Sequence, residues 1–459
     1  METTNTTTTM LKPVYSTPHP LAGEKIPLTV FDLAAFDTYV PTVRAYAAPA
    51  PSNEAIKEAS SRPSRSSLPR RAGSPRGRRF IHLNDKGVLV IEATVDSVDL
   101  ADLLADGMAA NFDGLYPASL EVLWLVGMRS ETDAGARACM QENVGAALLQ
   151  VKMVRFRCGG VVIGTISHHY LADGHSFGIF FSTWARAVRE GKDFAAPPPP
   201  FLDRAATAAP RRPTLTPAFD HRSIEFDDGN KKPHTVVPME KIKSLTVHFS
   251  AEFIADLKAR VGGGGRCSTF QCLLAHAWKK VTAARDLAPE DHTQVRISIN
   301  CRGRADPPVA ADFFGNMVLW AFPRMRVREL LNASYGRVVA AIRDAVARVD
   351  AEYVQSFVDF GAAAGVNGGG GEEEEPKATA PVAGATLCPD VEADSWLGFQ
   401  FHQMDLGTGP PCVFQTPNIP VEGIMIFQPS PAAKGAVELF VAVAEDHVDE
   451  FLQICHSLD

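Results

Sequence analysis

The chain has 459 residues, of which 46% are hydrophobic and 21% are charged, and its formal net charge at neutral pH is −8. This composition is typical of a globular protein, and a negative charge without a dense basic face argues against nucleic acid as a partner. Because a single hydrophobic core rarely extends beyond ~250–300 residues, we expect two domains.

The cysteines and the N-terminal residues favour a soluble protein of the cytoplasm, where thiols stay reduced. Eight cysteines are scattered along the chain without a C-x-x-C pair, so neither a zinc knuckle nor a disulfide scaffold is expected. The first ten residues, METTNTTTTM, are polar and lack the apolar segment of a signal peptide. No run approaches the ~18 apolar residues of a membrane helix, so we expect no membrane partner.

Three histidines and an aspartate lie close together in SHHYLADGHSFG, residues 167 to 178. The apolar residues before them predict a buried strand that ends at His168 and His169. Adjacent residues of a strand point to opposite faces, so the two imidazoles should diverge. The sequence LADG predicts a turn, and aromatic residues at helical spacing predict a helix after it. We therefore expect the cluster at a strand–turn–helix junction.

A proline-rich stretch separates two halves of similar size. Residues 195 to 240 are predicted to form a crossover linker, because their prolines can continue neither a helix nor a central strand. After it, the spacing of apolar residues predicts a strand at 245–249 and helices capped by Ser250 and Ser268.

Further features are predicted in the second half. A strand should cover residues 295–300 and, if it continues, Arg302 and Arg304 should share its polar face. A long helix is predicted from about Val327 to Phe357. Residues 361–380 are rich in Gly and Glu and should form a mobile loop. Alternation at 437–443 and apolar residues from 448 to 455 then predict a closing strand and helix.

The histidine cluster allows three interpretations. By residue type, His168, His169, Asp173 and His175 could bind a metal, but the adjacent imidazoles diverge and no second Cys/His cluster supplies further ligands. They could also be histidines satisfied in a core or a loop. Alternatively, an imidazole with an unperturbed pKa of ~6.5 could act as a general base. Asp173 could then pair with an arginine, and Gly174 could allow the tight turn.

The sequence HHYLADG resembles the H-x-x-x-D-G motif of the BAHD acyltransferases, plant enzymes that move acyl groups from coenzyme A to alcohols or amines. Other segments resemble the same family in the same order along most of the chain. They are STFQCLLAHAWKKVTAAR (268–285), NCRGRADPPVAADFFGNMV (300–318), DLGTGPP (405–411) and VEGIMIFQPSP (421–431). Within the family, the chain is similar to the grass hydroxycinnamoyl transferases that acylate agmatine, putrescine, tyramine or tryptamine.

The resemblance implies an α/β fold of two similar mixed-sheet domains with a channel between them. Residues 1–194 would form the first domain, 195–240 the linker and 241–459 the second domain. It implies direct transfer of a hydroxycinnamoyl group to an amine, without a covalent acyl-enzyme. Coenzyme A thioester is then a substrate, no cofactor or metal is required, and a cytoplasmic monomer is expected. The alternatives are an O-acyltransferase of the shikimate or quinate type, or an impaired relative that acts as a binding protein.

The resemblance also implies roles for matched residues. His169 should be the general base, and Asp173 should point away from the substrate and pair with Arg302. Asp405 should be structural rather than catalytic. Ser268 and Thr269 occupy positions that approach coenzyme A in relatives, and a helix N-terminus suits phosphate, although Ser268 could equally be a plain N-cap.

Two acidic residues are candidates for acceptor binding. Glu392 and Asp394 are two apart and would share one face of a strand. A cationic amine needs a carboxylate at the far end of its pocket, so these residues favour agmatine or putrescine over tyramine or shikimate.

The chain also departs from the family pattern. The family has tryptophan where this chain has Thr408, next to Gly407, and the Thr408 hydroxyl would have to hold the oxyanion instead. Residues 59–79 are rich in Arg, Ser and Pro, and residues 119–140 have no clean period. We interpret both segments as possible artefacts of gene prediction, a short out-of-frame reading and a retained intron.

Overall fold

The computed structural model describes only part of the chain. The described residues are 3–12, 23–61, 70–73, 79–84, 86–105, 114–117, 147–197, 201–211, 216–226, 234–262, 267–364, 378, 381–416, 419–431 and 433–458. The questioned segment 119–140 lies outside them, as do most of 59–79 and most of the Gly- and Glu-rich segment 361–380.

Strands and helices alternate along the described residues. In chain order the strands are β1 (Thr4–Leu11), β2 (Lys25–Pro27), β3 (Tyr39–Tyr46), β4 (Arg70–Gly73), β5 (Arg79–His82), β6 (Val88–Val95), β7 (Leu149–Phe156), β8 (Val161–His168), β9 (Thr235–Val236), β10 (Ile242–Phe249), β11 (His292–Asn300), β12 (Val318–Ala321), β13 (Arg324–Arg326), β14 (Ala385–Thr386), β15 (Val391–Ser395), β16 (Val413–Gln415), β17 (Ile424–Pro429) and β18 (Val437–Ala444).

The helices cover the sheets or connect them. They are α1 (Val30–Ala34), α2 (Asn53–Ser61), α3 (Leu100–Ala105), α4 (Gly174–Glu190), α5 (Arg204–Thr207), α6 (His221–Ile224), α7 (Ala251–Val261), α8 (Thr269–Ala284), α9 (Val327–Asn332), α10 (Tyr335–Ala347), α11 (Ala351–Ala363) and α12 (Val448–Ile454). Among the described residues, no helix is both long and apolar enough to cross a bilayer.

Two large mixed sheets form the framework, which confirms the expected α/β fold. The first follows the order β1-β6-β7-β8-β3-β16, and the second follows β10-β18-β17-β15-β11-β12. In the first sheet β6 and β7 are parallel, and in the second β15 is parallel to both β11 and β17. Every residue of β8 is buried, in keeping with its apolar sequence VVIGTISH and its central place in the sheet.

The two halves exchange structure in a way that the sequence did not predict. Strand β16 follows the Asp405 segment, yet it pairs with β3 of the first sheet rather than with the second sheet. The Tyr46 hydroxyl donates a hydrogen bond of 3.0 Å to the backbone carbonyl of Met404 beside it. The boundaries proposed at 194 and 241 therefore separate two halves of the sequence, but a strand from the second half belongs to the sheet of the first half.

Several predicted elements differ from the structure. The long helix predicted from 327 to 357 is instead three helices, α9, α10 and α11, because Ser334 and Asp350 cap new helix starts. Strand β11 ends at Asn300, and the chain then turns, so Arg304 donates to the carbonyls of Val346 and Val349 instead of continuing a polar face.

The first residues of the predicted mobile loop are ordered. Helix α11 extends to Ala363, and Gly361 is buried against Val30 of α1. A Cβ at position 361 would lie 2.6 Å from the Val30 Cβ, so this part of the segment belongs to the core. The prediction of a loop can therefore hold only after Ala364.

The tight packing of β8 gives a test of the fold. A Cβ at Gly164 would overlap the backbone carbonyl of Leu115 and the Cα of Tyr116, neither of which can move like a flexible side chain. Gly164→Ala should therefore destabilise the protein by ~1–3 kcal/mol or more, the usual cost of overpacking. Gly303→Ala is the matched control, since nothing lies within 4 Å of its added Cβ. Equal melting temperatures for the two variants would contradict the packing of β8 described here.

Candidate active site

A cavity of about 790 Å³ is lined by residues from both halves of the chain. From the first half it receives the end of β8 and the start of α4, including His169 and Gly174. From the second half it receives β11, β12 and β15, including Ser298, Trp320 and Asp394. The cavity therefore lies where the expected channel between two domains would be.

His169 is fixed by its backbone at the end of β8. Its N–H donates to the Thr38 carbonyl at 2.9 Å, and its carbonyl accepts from the Asn316 side-chain amide at 2.8 Å. The ring packs edge-on against Phe36, with centroids 6.3 Å apart. Its Nδ1 is buried and has no hydrogen-bond partner among the described residues. Since Nδ1 is closed off, Nε2 is the ring nitrogen that His169 can present to the cavity.

His168 points to the opposite face, as the strand alternation predicted. It is fully buried, its ring lies 4.8 Å from that of Tyr39, and its Nδ1 accepts the Tyr170 N–H. Its Nε2 is 3.3 Å from an Asp37 oxygen. Within the described part of the chain, no group of three or more His, Cys, Asp or Glu side chains could hold a metal ion. The structure therefore brings only His169 of the adjacent pair into the cavity.

Asp173 and Arg302 form a buried ion pair, as the sequence suggested. The carboxylate accepts from Arg302 at 2.8 and 3.1 Å and from the backbone N–H groups of Ser176 and Met317, each at 3.0 Å. Burial alone would raise the pKa of Asp173, but Arg302 and the two backbone donors lower it below its usual value. None of these hydrogen bonds reaches His169. Asp173 is instead the N-cap of α4 and holds the catalytic loop.

Gly174 was expected to allow a tight turn, and this physical reason was wrong. Gly174 is the first residue of α4 and is not among the glycines with positive φ, so the turn does not require its conformational freedom. The requirement is space, because a Cβ there would lie 2.6 Å from the ring of Phe399.

The Asp405 segment lies apart from the cavity. The Asp405 carboxylate accepts from the backbone N–H groups of Gly407 and Gly409 at 2.7 and 2.9 Å, which curls the loop around it. A Cβ at Gly407 would contact Arg189 near the end of α4, and Thr408 is exposed. Neither Gly407 nor Thr408 lines the cavity, so their placement does not suit the expected oxyanion role.

The start of α8 opens on the cavity. Ser268 lines it and forms a capping box with Gln271, in which each side chain accepts from the other residue's backbone N–H. Thr269 does not line the cavity, and its hydroxyl accepts from the Lys258 ammonium at 2.8 Å. The structure therefore brings Ser268, but not Thr269, to the cavity.

Glu392 and Asp394 both line the cavity from β15. Glu392 pairs with Arg296 of β11 at 3.4 Å, and Arg296 stacks on Trp320 with its guanidinium 4.0 Å from the ring centroid. The Ser298 hydroxyl and a positive charge on His169 would each lower the pKa of Asp394. Burial is the larger effect and raises the pKa of both carboxyl groups. Asp394 therefore lines the same cavity as the candidate base.

Sequence reasoning gave no role to several groups of this site. Arg296, Ser298 and Asn300 alternate with apolar residues along the predicted strand 295–300, but nothing in the sequence indicates that their face meets His169. Asn316, which holds the His169 carbonyl, lies in a segment recognised only as part of a motif. The polar alternation of β11 was the signal that could have identified Arg296 and Ser298.

Comparisons with known proteins agree in one assignment. The sequence model of the transferase family matches residues 1–456. Tryptamine benzoyltransferase 1 of Oryza sativa subsp. japonica is 53% identical over 467 residues, which cover 99% of this chain and 97% of the rice protein. Tryptamine hydroxycinnamoyltransferase 2 of the same plant is 51% identical, covering 95% and 94%. Agmatine hydroxycinnamoyltransferase 1, also from rice, is 35% identical, covering 98% and 97%.

A solved structure shows the same fold. Vinorine synthase superposes with a TM-score of 0.64 at 20% identity, covering 98% of this chain and 96% of its own. At this identity the likeness concerns the architecture of the two sheets.

The buried ion pair leads to a stability prediction. Asp173→Asn leaves Arg302 buried without its counter-charge, so unfolding should become easier by ~3–5 kcal/mol. The exposed pair of Asp99 and Arg157, whose atoms are 3.1 Å apart, provides the control, and Asp99→Asn should leave the free energy of unfolding almost unchanged. Chemical denaturation at pH 7 measures both.

The pH dependence checks the same pair. Because the pKa of Asp173 is lowered by folding, its contribution is present above the ordinary carboxyl pKa and is lost as pH falls through the folded value. The wild type should thus lose more stability than Asp173→Asn on acidification. Parallel acid curves would contradict the assignment.

Proposed function

Because the chain belongs to the BAHD acyltransferase family, we propose that it transfers a benzoyl or hydroxycinnamoyl group from coenzyme A to an arylalkylamine such as tryptamine. The observation that carries this proposal is the imidazole of His169 on the wall of a largely apolar cavity that ten aromatic side chains help to line. Coenzyme A thioester is a substrate, no cofactor takes part, and the enzyme acts as a cytoplasmic monomer.

His169 is the general base of the transfer. The acceptor nitrogen attacks the thioester carbonyl carbon, and His169 takes a proton from that nitrogen as the C–N bond forms. The tetrahedral intermediate then collapses, the C–S bond breaks, and the imidazolium returns the proton to the coenzyme A thiolate. Asp173 touches neither substrate, and its bond to Arg302 keeps the loop after β8 in place. The N-terminus of α8, with Ser268 on the cavity wall, is the group we assign to the phosphates of coenzyme A.

The acceptor pocket suits an aromatic amine with a single positive charge. Phe36, Trp320, Trp396, Phe399 and Phe401 are among the lining residues. Four carboxylates line the cavity, and three of them have a basic side chain beside them: Asp37 with His168, Asp173 with Arg302, and Glu392 with Arg296. The fourth, Asp394, forms no ion pair among the described residues and lines the cavity together with His169. A second charge far from the reacting nitrogen would therefore meet carboxylates already paired with arginine or, at Asp37, a carboxylate beside the His168 imidazole.

This proposal reverses the acceptor order expected from the sequence. Agmatine and putrescine were favoured because Glu392 and Asp394 were assumed to face the distal end of the acceptor. Identities of 53% and 51% to tryptamine transferases, against 35% to an agmatine transferase, support the same reversal. Thr408, which stands where the family has tryptophan, is exposed and does not line the cavity. This difference is therefore a weak argument that the chain is a catalytically impaired relative.

Release of free thiol tests the acceptor order. With benzoyl-CoA or p-coumaroyl-CoA as donor, we expect kcat/KM for tryptamine to exceed that for agmatine and putrescine by about 10-fold or more, since a desolvated charge without a partner costs more than ~1.4 kcal/mol. Shikimate should be a poor acceptor. Preference for agmatine would overturn the aromatic acceptor while retaining the acyltransferase, and absence of thiol release with every amine and alcohol would overturn the activity.

Substitution of the adjacent histidines tests the base. His169→Gln should lower kcat by ~10²–10⁴-fold, the usual contribution of general-base catalysis, without loss of the fold. His168→Gln should act mainly on stability, because that ring is buried on the other face of β8. Circular dichroism and thiol release together separate the two effects. A folded His169→Gln variant with wild-type turnover would show that another group takes the proton.

A further inference from the structure

The proposed reaction leaves one proton without an acceptor. An alkylammonium group has a pKa of ~10.4, like that of lysine, so the acceptor arrives at neutral pH almost entirely protonated. An ammonium nitrogen has no lone pair and cannot attack a carbonyl carbon. It must lose one proton before attack and a second one afterwards, and His169 can take only one of them.

We propose that Asp394 binds the ammonium group of the acceptor and takes its first proton, before His169 takes the second. This inference rests on the proposed function, because an alcohol acceptor would bring neither the charge nor the extra proton. It assigns to Asp394 direct contact with the reacting nitrogen, and it makes this carboxylate the group that selects amines over alcohols.

The position of Asp394 suits this role. Strand β15 lies between β11 and β17, and its residues 392 and 394 face the cavity that His169 also lines. The register of β11 and β15, continued by one residue, places Ser298 beside Asp394, and its hydroxyl lowers the pKa of that carboxyl. Because Asp394 and His169 line one cavity, an acceptor bound there can present its nitrogen to both side chains.

The neighbouring charges leave room for one cation. On β11, Arg296 is paired with Glu392 at 3.4 Å, and its ring contacts with Trp320 hold it in that position. On β17, the residue opposite Asp394 is the uncharged Ile426. With His169 neutral, Arg296, Glu392 and Asp394 together carry one net negative charge. A single ammonium neutralises it, whereas shikimate would add a second negative charge.

The environment also makes Asp394 a better base than an ordinary carboxylate. Burial, the largest effect, raises the pKa of Asp394, while the Ser298 hydroxyl, His169 and Arg296 lower it, and the net change is upward. A carboxylate with a raised pKa accepts a proton from an ammonium group at a smaller cost. The apolar cavity acts in the same direction, because it destabilises the charged ammonium relative to the neutral amine once that charge is unpaired.

The protons and electrons of the sequence balance. The ammonium N–H bond breaks and its proton joins an Asp394 oxygen, which leaves a neutral amine with a lone pair. That lone pair forms the C–N bond, His169 takes the second proton, and the C–S bond breaks to release thiolate. The imidazolium protonates the thiolate, and Asp394 releases its proton to solvent. The sum is ammonium plus thioester giving amide, thiol and one proton.

The pH profile of the wild type gives the first test. If the enzyme binds the ammonium form, kcat/KM for tryptamine should be flat from about pH 7.5 to about pH 9, since the substrate remains protonated up to ~10. If the enzyme binds only the free amine, kcat/KM should keep rising by about tenfold per pH unit over that range. That continuous rise would overturn the role of Asp394 and leave the acyltransferase function intact.

Asp394→Asn gives the second test. At pH 7 the variant should lose about 10- to 100-fold in kcat/KM for tryptamine, the worth of a charge-assisted hydrogen bond, and its profile should acquire the tenfold rise per pH unit of a free-amine enzyme. An alkoxyamine of similar skeleton, which is uncharged at pH 7, should lose far less. Equal losses with both acceptors would mean a structural role only.

A matched variant controls for the change of charge. Asp390 precedes the same strand, does not line the cavity, and accepts the Gln294 N–H at 2.8 Å with an oxygen that asparagine keeps. Asp390→Asn should leave both acceptors and the flat pH profile unchanged. Turnover of the alkoxyamine reports whether Asp394→Asn is folded, and the wild-type profile decides the question if it is not. An enzyme that acylates alcohols but no amine would overturn both this role and the proposed function.

Discussion

The ion pair of Asp173 and Arg302 is the interaction on which the geometry of the site depends. One partner begins α4 in the first half, and the other follows β11 in the second half. A buried pair is costly to desolvate, and its attraction offsets that cost only when the remaining hydrogen-bonding capacity is filled. Here each Asp173 oxygen accepts from Arg302 and from one backbone N–H, of Ser176 or Met317. The loop that positions His169 is thereby fixed to the opposite half.

A second connection between the halves is a buried arginine that packs against aromatic rings rather than pairing with a carboxylate. Arg44 of β3 is fully buried, and its guanidinium lies 4.3 Å from the ring centroid of Phe181, 5.6 Å from that of Phe401 and 5.3 Å from that of Phe414. Burial lowers the pKa of Arg44 to about 10, which still leaves it charged at neutral pH. Desolvated cation–π contacts are worth ~2 kcal/mol or more each, so three rings offset part of the cost of burial. Because Phe414 belongs to β16, this cluster favours the exchange of that strand.

The sequence predicted the parts of the fold that depend on local patterns. Alternation located β8, β10, β11 and β18, and the Ser268 cap located α8, because period and capping are properties of a few neighbouring residues. The long helix after Val327 was wrong because helical apolar spacing continued across Ser334 and Asp350, whose capping bonds begin new helices. Local patterns also could not predict that β16 joins the first sheet, since strand exchange depends on contacts distant in sequence.

In the candidate site, too, the features that depend on local patterns could be predicted and those that depend on distant contacts could not. The divergence of His168 and His169 and the link from Asp173 to Arg302 follow from a short motif and its strand. The positions of Glu392 and Asp394 depend on parallel pairing of β15 with β11 and β17, which no nearby residue specifies. The sequence therefore indicated correctly that the two carboxylates share a face and left open which end of the acceptor they meet.

The register of β11 and β15 explains why two similar carboxylates can have different functions. Arg296 lies opposite Glu392, so that carboxylate is neutralised within the sheet. Two residues further along, β11 presents the neutral hydroxyl of Ser298, which does not cancel the charge of Asp394. A shift by two residues would pair Arg296 with Asp394 and leave Glu392, two residues earlier on β15, as the free carboxylate. The spacing of one arginine and one serine on β11 thus determines where negative charge remains in an otherwise largely apolar cavity.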